Sequence, residues 1–270
     1  MSMVIGTNVA SISAQRHLET SRADMETSME RLASGKRINS AMDDAAGLTI
    51  AHKLEAQVAG LNQGVRNGND GLSMIGVAEG GLEEISSILL RMKELTVQAS
   101  NETYAVNDLA AMSTEFVALY TEMTRITDDT AYNGVFVIGA AATPDIQIGN
   151  TAGATGSIEV TFTDSADTTL NVTITTLALA EAAGALIDTA ITTVDTQRAA
   201  LGAAANSIEF GVSNAMNRSE HTAAALSNIM DTDFAVESAN LAKNQVLQQA
   251  GTAMLAQANQ SGQAVLSLLK

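Results

Sequence analysis

Apolar residues recur along this chain at alternating steps of three and four, the spacing of a single helical stripe. At the C-terminus Leu247, Gly251, Met254, Ala258, Ser261, Val265 and Leu268 form such a ladder. At the N-terminus Ile5, Val9 and Ile12 start the same ladder, and Leu18, Met25, Met29 and Leu32 follow at near-heptad spacing. A stripe that returns every 3.5 residues can be covered only by another helix. The two ends are therefore expected to pair with each other or with neighbouring molecules, which points to an assembly protein and away from a pocket enzyme.

The first helix is expected from about Asn8 to Ala33, stopped at Ser34-Gly35, where glycine accepts a left-handed cap. Ser40-Ala-Met-Asp43 reads as a capping box for the next helix, with Asp43 and Asp44 favourable to its dipole. Leu54, Val58, Leu61, Val65, Leu72, Ile75, Leu82, Leu89 and Met92 hold heptad register to about Gln98. That predicts a helix of ~55 residues, roughly 80 Å long. Gly60, Gly64, Gly68, Gly71, Gly76, Gly80 and Gly81 lie within it, and Asn69-Asp70-Gly71 alone would read as a hairpin turn. Each helical glycine costs about 1 kcal/mol against alanine. The phase survives across them, so the helix stands, with close approach of a partner helix as the expected compensation.

A third helix follows from Leu109, Met112, Phe116, Leu119, Met123 and Ile126. Ile187, Ile191, Val194, Leu201, Ala205, Ile208, Val212, Ala215, Leu226 and Ile229 predict a fourth, left-handedly supercoiled one. Between Ala131 and Thr176 the period falls to two. Asn133-Gly134 is a hairpin turn, and Ile158, Val160, Phe162, then Leu170, Val172, Ile174, read as two half-buried strands. The predicted fold is mainly α, a long antiparallel helical coiled-coil bundle with a small β-hairpin tip. Its expected parts are a terminal coiled coil (1–40 and 235–270), a central bundle (41–140 and 178–234) and a tip (141–177).

Composition narrows the function. The 270 residues are 46% apolar yet only 3% aromatic, the palette of packed helices, and the 12 methionines suit adaptable helix contacts. Zero cysteine excludes disulfides, thiolate metal sites and a cysteine nucleophile. A net charge of −16 argues against nucleic acid. His17, His52 and His221 are isolated, with no pair four apart and no phosphate-loop signature, so no metal, cofactor or catalytic residue is expected. Met1 to Ile12 lack the basic and apolar regions of a cleaved signal, and no apolar run of about 18 residues suggests a membrane span.

Glu30-Arg31-Leu32-Ala33-Ser34-Gly35-Lys36-Arg37-Ile38-Asn39-Ser40-Ala41-Met42-Asp43-Asp44-Ala45-Ala46-Gly47-Leu48 is similar to the best-known signature of the bacterial flagellins. Arg66-Asn67, Asn69-Asp70-Gly71, Tyr132-Asn133-Gly134 and Ala253-Met254-Leu255-Ala256-Gln257-Ala258-Asn259-Gln260 also resemble that family, over roughly 1–140 and 180–270. The hook–filament junction proteins share the terminal pattern, but the middle helices fit flagellin better. The outer domains that the family carries are reduced here to about fifty residues.

The resemblance implies a secreted structural subunit that self-assembles into the extracellular flagellar filament for motility. It implies export unfolded through the flagellar type III apparatus, an export chaperone at the C-terminal helix, and filament cap and hook-junction proteins as partners. The alternatives are a hook–filament junction protein or a secreted coiled coil that forms no filament. On the seam reading, Ile5, Val9, Ile12, Leu18, Met25, Leu32, Leu247, Met254, Ala258, Val265 and Leu268 are the expected subunit interface. The resemblance further implies recognition by the animal Toll-like flagellin receptor through Arg91, Leu95 and Glu115.

Overall fold

The computed structural model describes residues 7–139, 141–150, 156–163 and 170–267, with side chains described as far as residue 260. Its helices are α1 Val9–Ser34, α2 Ala45–Ala99, α3 Val106–Asp129, α4 Leu177–Met230 and α5 Phe234–Ser267. Between α3 and α4 lie the short strands β1 Ala131–Tyr132, β2 Val135–Phe136, β3 Asp145–Gln147 and β4 Ser157–Glu159. Two compact units result, 1–56 with 221–270 and 57–220, whose limits fall inside α2 and α4.

In the first unit the helix ends are tied by side chains. Asn8 caps α1, its carboxamide oxygen accepting from the Ser11 N–H at 3.0 Å. Gly35 ends that helix at φ 71°, the left-handed conformation that glycine adopts without strain. The Arg37 N–H donates to the Met230 carbonyl at 2.6 Å, and the Thr232 N–H to that of Gly35 at 3.0 Å. The Arg37 guanidinium donates to the Ile229 carbonyl at 2.7 Å, placing a cation on the last turn of α4. Asp233 caps α5 through the N–H groups of Ala235 and Val236.

The capping box expected at Ser40–Asp43 is displaced. Helix α2 begins at Ala45, where the Asp44 carboxylate accepts from the Gly47 N–H at 2.8 Å. Asp43 instead closes the preceding turn, accepting from the N–H groups of Asn39 and Ser40 and from the Ser40 hydroxyl. Of two adjacent aspartates, the second lies three residues before a free helical N–H and takes the cap.

The second unit is built on the 55-residue α2, as its heptads require. Helix α4 runs antiparallel to it, joined by Ser219 to Asn62 at 2.8 Å, Arg198 to Glu79 at 2.7 Å and Lys93 to Asp188 at 2.7 Å. Leu82, Ile85, Leu89 and Met92 of α2, Phe116 and Met123 of α3, and Ile187, Val194, Leu201 and Ile208 of α4 are buried in one core. Helix α4 holds an 18-residue stretch of mean hydropathy 1.4, long and apolar enough to cross a bilayer by composition. Its apolar stripe is committed to this core, so hydropathy here reflects packing.

The glycines of α2 are matched mostly by the β segment. A Cβ on Gly64 would overlap the Ile148 carbonyl, on Gly60 the Asn150 side chain, and on Gly81 the Ile138 side chain. Only Gly68 faces helix α4, at Val212 and Ile208, so the expected partner helix is largely replaced by residues 138–150, in and around β3. Gly76 and Gly80 meet nothing within 4 Å.

The Asn133-Gly134 turn forms as expected, both residues at positive φ (48° and 81°) between β1 and β2. Strands β3 and β4 pair antiparallel with Ile146 opposite Ile158, and Phe162 exchanges hydrogen bonds with Ala142. The strand expected at Leu170–Ile174 is absent. Leu170 and Ile174 are fully buried and Val172 half-buried, so the alternation holds, but among the described residues no partner strand pairs with the backbone. The Ile174 N–H donates instead to the Ser113 hydroxyl on α3 at 3.4 Å. Ile148, Val160, Phe162, Leu170 and Ile174 share the core of the central helices.

Gly64→Ala should destabilise this unit by about 1–3 kcal/mol, because the backbone of Ile148 must move. Gly76→Ala, in open space, should stabilise the monomer by roughly 0.5–1 kcal/mol. Urea melts of the two variants check both signs, and equal shifts would contradict the assignment.

Candidate assembly surface

Helices α1 and α5 pack antiparallel. The Asn8 carboxamide donates to the Ala258 carbonyl at 2.8 Å, the Ser11 hydroxyl to Asn259 Oδ1 at 3.0 Å, and the Ser21 hydroxyl to the Asn244 carbonyl at 3.3 Å. At the far end Arg31 and Glu237 face each other at 3.9 Å. Buried at this contact are Ser11, Ser21, Ser28, Glu237 and Asn244, not large apolar residues. Gly251 lets Leu18 approach, a Cβ there coming within 3.0 Å of its methyl. Half-buried Leu241, Gln248, Leu255 and Ala258 complete the α5 side.

The apolar residues that sequence reasoning placed on one seam are therefore divided. Leu18, Met25 and Leu32 of α1 and Ala258 of α5 are half-buried against the partner helix. Val9 (70% exposed), Ile12 (56%), Leu247 (47%) and Met254 (64%) face away from it. This corrects the single-seam expectation: the α5 contact follows 241-244-248-251-255-258, one position off the ladder through Leu247 and Met254. Ile5, Val265 and Leu268 lie outside the described side chains. Met29 and Val246 are also exposed, and sequence reasoning passed over Val246. The polar contact residues Ser21 and Ser28 stand seven apart, as do Asn244, Gly251 and Ala258. That small-residue heptad was the legible signal of the true contact.

On one side of the pair Leu247 and Met254 border an open groove of about 610 Å³ whose floor is small, with Ala10, Ala14, Ala250 and Gly251. Among the described residues no group of three or more His, Asp or Glu side chains is placed to hold a metal ion. The surface is apolar, shallow and suited to a helix.

In the second unit Arg91 binds Glu94 at 2.8 Å on α2 and Glu115 at 2.8 Å on α3. Hydrogen bonds donated to Glu94 first and Glu115 second hold the guanidinium pKa above its ordinary value. Leu95, expected beside them on the surface, is 1% exposed and belongs to the core. Four residues separate it from Arg91, and that small rotation around α2 turns it inward. The exposed groups there are the ion pair and the neighbouring Leu90, 56% exposed.

Residues 5–143 match the model of the bacterial flagellin N-terminal helical region, and residues 185–269 that of the C-terminal helical region. The chain belongs to the bacterial flagellin family. It is 42% identical to a flagellin of Halalkalibacterium halodurans over 99% of the chain and all of that relative. It is 36% identical to the flagellar filament 33 kDa core protein of Treponema phagedenis over 99% of the chain and all of that relative. The crystal structure of Bacillus cereus flagellin superposes with a TM-score of 0.51 at 29% identity, covering 56% of this chain and 88% of that one. Against polar flagellin F of Vibrio parahaemolyticus, 32% identical, the alignment runs to 376 positions with both chains covered in full. About a hundred positions of that longer flagellin thus have no counterpart in these 270 residues.

The Asp43 turn between α1 and α2 carries a pH dependence. The Ser40 N–H, then the Ser40 hydroxyl and the Asn39 N–H, hold the Asp43 carboxyl below its ordinary range. A carboxyl depressed in the folded state contributes stability above its unfolded pKa and loses it as pH falls through the folded one. Amide exchange at Asn39 and Ser40 should therefore accelerate below about pH 4, and Asp43→Asn should remove that acid-dependent step. Identical pH profiles for the two proteins would contradict the turn's dependence on this carboxylate.

Proposed function

We propose that the outward apolar residues of α1 and α5 are the surface through which this chain polymerises. The chain is a structural subunit of the bacterial flagellar filament. What supports the surface assignment is one observation: the fully buried residues of the α1–α5 contact are polar, its leucines are only half-buried, and Val9, Ile12, Leu247 and Met254 stay exposed. Those side chains are largely uncovered in the isolated fold. Covering them gains roughly 25 cal/mol per Å² of apolar area, offset by the ordering that assembly requires. Two different faces meeting head to tail generate an open helical polymer, not a closed ring.

Several partners follow from this reading. An export chaperone covers α5 before assembly, because the same exposed leucine and methionine would otherwise associate early. Passage through the flagellar type III apparatus in unfolded form suits a chain without cysteine, whose terminal pair is held by polar contacts. The cap and hook-junction proteins meet the same surface at the two ends of the filament, outside the cell. Recognition by the animal Toll-like flagellin receptor rests here on the exposed Arg91–Glu115 pair.

Met254→Asp tests the assembly surface. Met254 is 64% exposed, so the variant should fold as a monomer of unchanged helicity. A carboxylate carried into an apolar contact has a desolvation cost, and polymerisation onto filament seeds should fall to background. Normal filaments from this variant would sink the assignment.

A further inference from the structure

We infer that Met254 is an oxidation switch on polymerisation. Conversion of its thioether to the sulfoxide by hydrogen peroxide or an organic hydroperoxide stops a free subunit from adding to the filament, and a thiol-driven sulfoxide reductase restores it. The switch rests on the assembly surface proposed above and adds the regulation of that surface.

Oxidisable sulfur in this chain is methionine alone. No cysteine is present to react first, and the 12 thioethers are spread unevenly over the fold. Met74, Met92, Met112, Met123 and Met230 are buried, and Met25 is half-buried. Met1 and Met3 lie outside the described residues. Met29, Met42, Met216 and Met254 are exposed. Oxidation follows access, so an aqueous peroxide reaches these four in the folded monomer.

Met254 differs from the other three in its setting. It lines the α1–α5 groove, where the residues one and two helical turns before it are Ala250, Gly251 and Leu247. None of those side chains carries a hydrogen-bond donor. Peroxide delivers one oxygen atom to sulfur: the S–O bond forms, the O–O bond breaks and water leaves. Sulfur loses two electrons and the peroxide gains them. The product is a strongly dipolar acceptor in place of a soft apolar group. In the monomer Met254 is 64% exposed, so water solvates the new oxygen and the fold is unaffected. An apolar contact with another copy strips that water away and supplies no donor in return. A modification shifts an equilibrium only as far as its cost differs between the two states, and here the cost falls on the assembled one. Reduction by two thiols returns the thioether, a disulfide and water.

The test treats monomer with hydrogen peroxide, removes the oxidant and adds the protein to filament seeds. Trypsin cleaves after Lys243, and the segment from Asn244 to Lys270 holds Met254 as its only methionine, so its gain of one oxygen reports this site. Elongation should fall about tenfold as the Met254 sulfoxide accumulates, with unchanged helicity. Sulfoxide reductases for both epimers, with thioredoxin, should restore it. Met254→Leu should elongate normally before and after peroxide, while Met29→Leu should remain sensitive. Oxidised protein that elongates at the untreated rate, or equal loss in Met254→Leu, would overturn the switch while leaving the assembly surface standing. Failure of the surface itself is read from filaments of untreated Met254→Asp. Should Met254→Leu fail to elongate untreated, the reductase arm decides: recovery in step with loss of the Met254 sulfoxide supports the switch, and recovery that does not follow that site overturns it.

Discussion

A helix pair whose contact buries polar residues and leaves part of its apolar stripe exposed is the constraint on which this molecule depends. In most soluble pairs the seam takes the large apolar side chains. Here Ser11, Ser21, Ser28 and Asn244 occupy the contact of α1 with α5, and hydrogen bonds with Gly251 backbone proximity hold it. Hydrogen bonds of this kind contribute little net stability but are specific in geometry. The arrangement keeps the terminal helices in register while leaving Ile12, Leu247 and Met254 exposed.

The two units therefore carry different burdens. The 57–220 unit is held by a continuous apolar core through α2, α3 and α4, supplemented by Arg198–Glu79 and Lys93–Asp188. Those ion pairs are partly exposed and add specificity more than stability. Among the described residues the terminal unit has little comparable core of its own. Elbow contacts from Arg37, Thr232 and Asp233 fix the helix ends where the chain turns, so the two terminal helices leave those turns at set angles.

Much of the fold was legible because heptad phase is insensitive to what covers it. Helix α2 could be read through seven glycines, and α3 and the Asn133-Gly134 hairpin lie where periodicity and turn chemistry put them. Periodicity reports which side chains turn inward, not what they meet. It therefore marked Leu170, Val172 and Ile174 as alternating yet could not show that no strand among the described residues lies beside them. It marked the α2 glycines as sites of close approach but not that Ile148 and Asn150 make it. In the terminal pair the apolar ladder divides between residues that meet α1 and residues left exposed, and a ladder alone cannot say which is which. The smaller heptad through Asn244, Gly251 and Ala258 carried that information. Leu95 shows the limit of motif matching: the residues agree in sequence, while the packing of α2 takes the side chain out of reach.

Methionine thioethers offer the most direct measurement of whether the outward stripe is covered only by other copies. Met92 and Met123 are buried in the core, Met42 is 97% exposed on the turn before α2, and Met254 stands on the groove edge. Peroxide labelling read by mass spectrometry should modify Met254 in the monomer and spare it in the filament, with Met92 and Met123 spared in both states. Equal modification of Met254 before and after polymerisation would contradict the account.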